Sequence, residues 1–188
     1  DFDSTEVDEF AILTASDNVY ALSTQQNSIY KASRVLSGSY GLPFKYIQDE
    51  RLSNAKDFFA DISVYVLTEG SSGLNRFSYN YTTNKMEELP VSITGLKDDF
   101  ENLTCGFTGA GGLDAELYLF DATDKRFLVF EKPNELEGRH PGEMLFLRQY
   151  KYRGDTQEVF EDVNDFVVDA ANENMYVLDG DMIWKVSL

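Results

Sequence analysis

Asn174–Leu188 reads NMYVLDGDMIWKVSL: an apolar run, a polar turn, and a second apolar run. The same phrase occurs three more times, as NVYALSTQQNSIYKAS (Asn18–Ser33), SVYVLTEGSSGLNRFS (Ser63–Ser78) and ELYLFDATDKRFLVFEK (Glu116–Lys132). Each copy is anchored on a tyrosine: Tyr20, Tyr65, Tyr118 and Tyr176, spaced 45, 53 and 58 residues apart. Asp179-Gly180 is a two-residue hairpin signal, so the phrase predicts two antiparallel strands. A short apolar strand precedes each anchor, at Phe10, Asp57, Leu103 and Asp165. Outer strands are expected from Leu42 (LPFKYI), Lys85 (KMEELPVSI) and Met144 (MLFLRQYKY).

A sheet with one wet face alternates apolar and polar residues, and VYVL, LYLF and MYVL do not alternate. Such strands are expected to be covered on both faces. Four-stranded units stacked face to face around an axis do this to every inner strand, and a period of this length suits one blade per repeat. The fold class predicted is therefore all-β: a β-propeller of four blade-like, four-stranded repeats. It forms either a closed four-bladed ring or part of a larger one. The repeats fall at about 8–48, 55–95, 101–153 and 162–188 within a single domain, 1–188. The last repeat stops after its third strand, and Asp3–Val7 is expected to supply the missing one and hide an open edge.

The phrase FVVDAANENMYVLDGDMIWKV (Phe166–Val186) resembles the NHL and YVTN type of propeller repeat. The longer FLRQYKYRGDTQEVFEDVNDFVVD (Phe146–Asp169) is similar to uncharacterised propellers of candidate-phylum bacteria, some beside a membrane segment or a PPM-type phosphatase-like domain. The resemblance implies a non-catalytic module of a bacterial protein. It would be extracytoplasmic, or the soluble part of a membrane-anchored chain.

Composition narrows the partners. Sixteen basic residues face 33 acidic ones, a net charge of −17. A phosphate backbone is repelled by such a surface, so nucleic acid is not expected. No apolar run approaches the ~20 residues of a membrane helix, so membrane insertion within this chain is not expected either. The sequence opens on Asp1 rather than Met, as a processed or excised piece would.

Few stretches carry chemistry. GFTGAGGLD (Gly106–Asp114) lacks the Gly-Lys-Ser/Thr ending of a phosphate loop and reads as a hairpin turn. Asp121 and Asp179 stand where turn-initiating aspartates belong. No EF-hand pattern is present, so no cofactor is expected, and calcium would have to bind without a motif. Cys105 is the lone cysteine, in a strand-like setting that predicts a buried thiol. His140 is the lone histidine, in a Gly/Pro loop without a nucleophile signature, which excludes a multi-histidine zinc site. Asn80-Tyr81-Thr82 and Asn102-Leu103-Thr104 fit the N-glycosylation pattern. MLFLRQYKYRG mixes aromatic and basic residues and reads as an outer strand rather than a nucleic-acid stripe.

Two functions follow. The preferred one is a non-catalytic binding or scaffold module, recognising a protein or surface ligand at one end of the propeller. The other is a metal-dependent propeller enzyme of the gluconolactonase-like hydrolase or lyase kind, which needs carboxylates converging on the axis. Inter-blade loops share one end of a propeller, and here they hold Asp49, Glu50, Asp98, Asp99, Glu161 and Asp162. These six are the expected partner-binding residues, and a basic partner surface is their complement.

Overall fold

The computed structural model describes residues 2, 4–13, 17–69, 73–109, 115–132, 142–154 and 159–188. Its regular structure is all β apart from short 3-10 turns. Blade 1 is β1 (Glu9–Leu13), β2 (Asn18–Ser23), β3 (Ser28–Ala32) and β4 (Phe44–Gln48). Blade 2 is β5 (Ala55–Ala60), β6 (Val64–Thr68), β7 (Leu74–Asn80) and β8 (Lys85–Leu89). A short strand, β9 (Ser92–Thr94), follows it. Blade 3 is β10 (Leu103–Thr108), β11 (Leu117–Asp121), β12 (Arg126–Glu131) and β13 (Glu143–Lys151). Blade 4 is β14 (Val163–Asp169), β15 (Asn174–Asp179) and β16 (Met182–Ser187). The sheets stand in a ring, a four-blade propeller arrangement, with consecutive strands antiparallel inside each blade.

Register bears out the tyrosine anchors. Tyr20 pairs with Ala11 and Lys31, Tyr65 with Phe59 and Arg76, Tyr118 with Phe107 and Val129, and Tyr176 with Val167 and Lys185. All four occupy the same place in the second strand of a blade. The final hairpin turns on Gly180-Asp181, between the paired Asp179 and Met182. Its first turn residue, Gly180, has φ 58°, a conformation glycine adopts without steric cost.

Three clusters of buried side chains join successive blades. Leu22 and Ile29 of blade 1 meet Phe58 and Val66 of blade 2. Tyr65 and Leu67 of blade 2 meet Leu117 and Leu119 of blade 3. Phe120 and Phe127 of blade 3 meet Phe166 and Val177 of blade 4. In β6, Val64 and Val66 face one neighbour while Tyr65 and Leu67 face the other, which is why that strand does not alternate. Each fully buried aliphatic or aromatic side chain contributes ~1.5–3 kcal/mol relative to exposure.

Three expectations change. KMEELPVSI does not form one strand, because Pro90 lacks an N–H for the ladder. After it, β9 pairs in parallel with β13 and covers the outer edge of blade 3. The strand expected from Asp3–Val7 is not formed among the described residues. Ser4–Glu6 is a 3-10 turn, and the segment lies against blade 1 instead. Phe2 packs edge-on against Tyr30 at 5.0 Å, and the Asp8 carboxylate accepts the Thr24 N–H at 2.7 Å. Blade 4 accordingly has three strands among the described residues. Finally, β15 is not covered on both faces. Met175 and Val177 are buried, whereas Tyr176 and Leu178 are 37% and 39% exposed, with Ile183 beside them at 74%.

Candidate functional site

Two places on this frame gather chemistry: the axis and a groove between blades 1 and 2. On the axis, Glu9, Asp57, Cys105 and Asp165 occupy equivalent positions, opposite Leu22, Leu67, Phe120 and Leu178. Identical register puts all four on the same face of the first strand of their blades, from which Glu9 reaches blade 2 and Asp57 reaches blade 3. The Glu9 and Asp57 carboxyls hydrogen bond to each other. Asp57 also accepts the Gly106 N–H at 2.6 Å, and Glu9 accepts the Phe58 N–H at 3.3 Å. Burial, reinforced by the bond to Asp57 and its charge, pushes Glu9 up to about 10. Burial also raises Asp57, but bonds from Glu9 and Gly106 favour its ionised form. The shared proton therefore rests on Glu9.

Asp165 is raised by burial and accepts its own neighbour's N–H, from Phe166, at 2.7 Å. Burial and the charge of Asp57 push the Cys105 thiol up, so it stays a buried thiol, as expected, and not a nucleophilic thiolate. The axis does converge three carboxyl groups. Glu9 and Asp57 bond to each other while Asp165 holds its neighbour's N–H, and among the described residues no three Cys, His, Asp or Glu side chains are placed to hold a metal ion.

The six loop acids lie on three successive inter-blade connections; the carboxylates of Asp49 and Glu161 bond locally, and the other four bond through their backbone. Asp49 caps the 3-10 turn Glu50–Asn54 and binds Arg51 through both oxygens, which lowers its pKa. The Glu50 carbonyl accepts the Ser53 hydroxyl at 2.7 Å. Carbonyls of Asp98 and Asp99 accept from the buried Arg126 guanidinium. Glu161 pairs with Lys125. The Asp162 N–H donates to Asp179 at 2.8 Å. Asp179 also accepts from Phe160, so its carboxylate holds the connection that leads into blade 4 rather than its own turn, whereas Asp121 pairs with Arg126 across its hairpin at 3.0 Å. His140 and the tip of the Gly106–Asp114 turn lie outside the described residues.

The groove opens at the opposite end, where the β5–β6 and β7–β8 turns lie, and has a volume of about 1490 Å³. One wall is β4, with Phe44 and Tyr46; the other is β7–β8 and its turn, with Tyr79 and Tyr81. Tyr20 lines its inner part, and Tyr65, on the face of β6 turned to blade 3, borders only the inner end. Lys31 lies 4.7 Å from the Tyr46 ring centroid and 5.6 Å from that of Tyr20, and burial lowers its pKa. At the inner end, Lys132 of blade 3 pairs with Asp61, both nearly inaccessible, and donates to Thr108 at 3.1 Å. Arg76 donates to Ser63, which shares a 2.5 Å bond with Ser78.

The groove was absent from the sequence reading. Its signal was aromatic residues where water-facing positions are expected, FKY at 44–46 in an outer strand and YNY at 79–81 at the end of β7 and in the turn after it.

No protein-family model matches the chain, and no curated protein matches it in sequence. Among solved structures it is similar to a protein from Lactobacillus plantarum, with TM-score 0.60 and 13% identity over 95% of this chain and 50% of that one. It is also similar to the major allergen Mala s 1 of Malassezia sympodialis, with TM-score 0.54 and 14% identity over 93% of this chain and 50% of that one. The chain thus spans about half the length of each. Both are β-propeller-like, and at such identity the likeness shows the fold alone.

Proposed function

We propose that the protein is a non-catalytic binding module on repeats of the NHL/YVTN type, and that its ligand sits in the groove between blades 1 and 2. One observation carries this reading: the groove inverts the charge of the molecule. Five Lys or Arg and two Asp or Glu line it, whereas the whole chain has 16 and 33. Exposed aromatic side chains on both walls add the apolar contact area that binding sites use.

The test is labelled protein on an array of acidic, neutral and basic oligosaccharides and peptides. Binding by the wild type that is lost in Tyr79→Ala/Tyr81→Ala supports the groove. Binding that survives this change and is lost when Asp98, Asp99, Glu161 and Asp162 become Lys moves the site to the acidic connections and a basic partner.

A second reading rests on the axis, where Glu9, Asp57 and Asp165 converge as a metal-dependent propeller enzyme would require. A cation there would have to displace the proton Glu9 holds against Asp57. Calcium titration by calorimetry at neutral pH tests it: stoichiometric binding abolished by Asp57→Asn supports the enzyme reading, and no heat counts against it.

A further inference from the structure

We infer that the groove takes an acidic oligosaccharide, a chain of pyranose rings bearing uronate carboxylates. This rests on the groove being the ligand seat and adds the chemistry of what sits there. A pyranose ring has an apolar C–H face, a rim of hydroxyls and, in a uronate, one carboxylate per ring. Each feature has a counterpart in the walls.

The flat surfaces come in two pairs. Phe44 and Tyr46 lie 6.1 Å apart at 87°, and Tyr79 and Tyr81 lie 5.1 Å apart at 79°. Both pairs line the same groove, one on each wall. Phe44 is 52% exposed and Tyr81 85%, so ring surface is open to a ligand at the mouth. Charge supplies the second counterpart. Lys31 stands by the Tyr20 and Tyr46 rings on one wall and Lys85 is exposed on the other, whereas Lys45 turns to the far face of β4, over Tyr30, and the buried Lys132 and Asp61 cancel each other. Amide side chains elsewhere in the lining, such as Asn18 and Gln48, suit sugar hydroxyls.

Size and charge density select among anionic ligands. The volume of about 1490 Å³ exceeds the ~300–1,000 Å³ of small-molecule pockets, so several linked rings fit better than one. Nucleic acid is disfavoured because its charge recurs every ~1.7 Å in a duplex and would extend past the groove over a surface of net charge −17. A uronate chain needs only a few cations, and the lining has a formal net charge of +3, from five bases and two acids.

The test uses oligogalacturonate and alginate oligomers as probes, with the methyl ester of oligogalacturonate as the neutral control, measured by calorimetry at low salt. At least one acidic oligomer is expected to bind the wild type, ~10-fold or more tighter than the ester. Lys31→Gln/Lys85→Gln should erase that preference, and Tyr79→Ala/Tyr81→Ala should abolish binding. Failure of both oligomers to bind, or equal binding of acid and ester, overturns the ligand class. If a polyglutamate peptide binds instead and depends on Tyr79 and Tyr81, the ligand class is wrong while the groove stands. If an acidic oligomer binds independently of Tyr79 and Tyr81, the groove itself is wrong. Tyr81 and Lys85 are exposed, and a thermal melt of each variant confirms that lost binding is not lost fold.

Discussion

The Asp57 carboxylate of blade 2 accepts the Gly106 N–H of blade 3 at 2.6 Å, and Glu9 of blade 1 holds the Phe58 N–H of blade 2 in the same relation. Phe58 and Gly106 each follow the axial position of their own strand. An acid on one inner strand thus ties down the next. Cys105 breaks the series, because a thiol is a weak acceptor, and Asp165 turns back to hold the Phe166 N–H itself. Asp57→Ala should cost about 1–3 kcal/mol in urea unfolding, since it leaves a buried N–H unpaired. Asp57→Asn keeps an acceptor for Gly106 and should cost less.

The Glu9 proton makes stability depend on pH. Unfolded, Glu9 titrates near its usual 4.5; folded, it is pushed up to about 10. Between those values the folded chain holds a proton that the unfolded chain releases, so stability falls as pH rises through the window. Its contribution is complete below about 4.5. The urea midpoint should therefore be higher at pH 5 than at pH 8. The net charge of −17 acts in the same direction, so the diagnostic measurement is Glu9→Gln, which should flatten the pH slope.

Gly106 has no room for a side chain. A Cβ there would lie 2.1 Å from the Phe59 ring, which stacks on Tyr65 at 5.3 Å. Gly106→Ala should destabilise by ~1–3 kcal/mol through overpacking. Adding Phe59→Leu should recover part of that loss, and full additivity of the two changes would show that they do not clash.

Lys132 and Asp61 form a buried pair across blades 2 and 3. Lys132→Met leaves the Asp61 charge unpaired and should cost about 3–5 kcal/mol. Asp61→Asn on top of it should restore most of the stability, because the bond to the Ser63 N–H can survive the change. Denaturant curves of the two variants decide this.

Leucines in equivalent-looking strands should differ. Leu119 is inaccessible in β11, so Leu119→Ala should cost ~2–5 kcal/mol. Leu178 is 39% exposed in β15, and Leu178→Ala should cost less than about 1 kcal/mol.

That last contrast marks where sequence stops informing. LYLF and MYVL have the same pattern, and both were expected to be covered on two faces. A strand's own residues record that it can be buried, while a neighbouring blade decides whether it is. The hairpins and the tyrosine register were legible because turn chemistry and alternation are local. Glu9, Asp57 and Asp165 were not legible as a group: each sits in an ordinary strand-like stretch, and only register around the axis brings them together. Tyr46 and Tyr79 were hidden for the same reason, since they come from strands of different blades, β4 and β7.

The open face of blade 4 also bears on how the molecule comes apart. In a protein of stacked repeats, each unit is held by the interfaces it buries with its neighbours. Blade 4 shares a buried cluster with blade 3, whereas β14–β16 leave Tyr176, Leu178 and Ile183 partly in water. Opening is therefore cheapest at β16 and costliest in blades 2 and 3, so the backbone amides grade from fast to slow hydrogen exchange along the array, with Val186 trading its hydrogen long before Leu119.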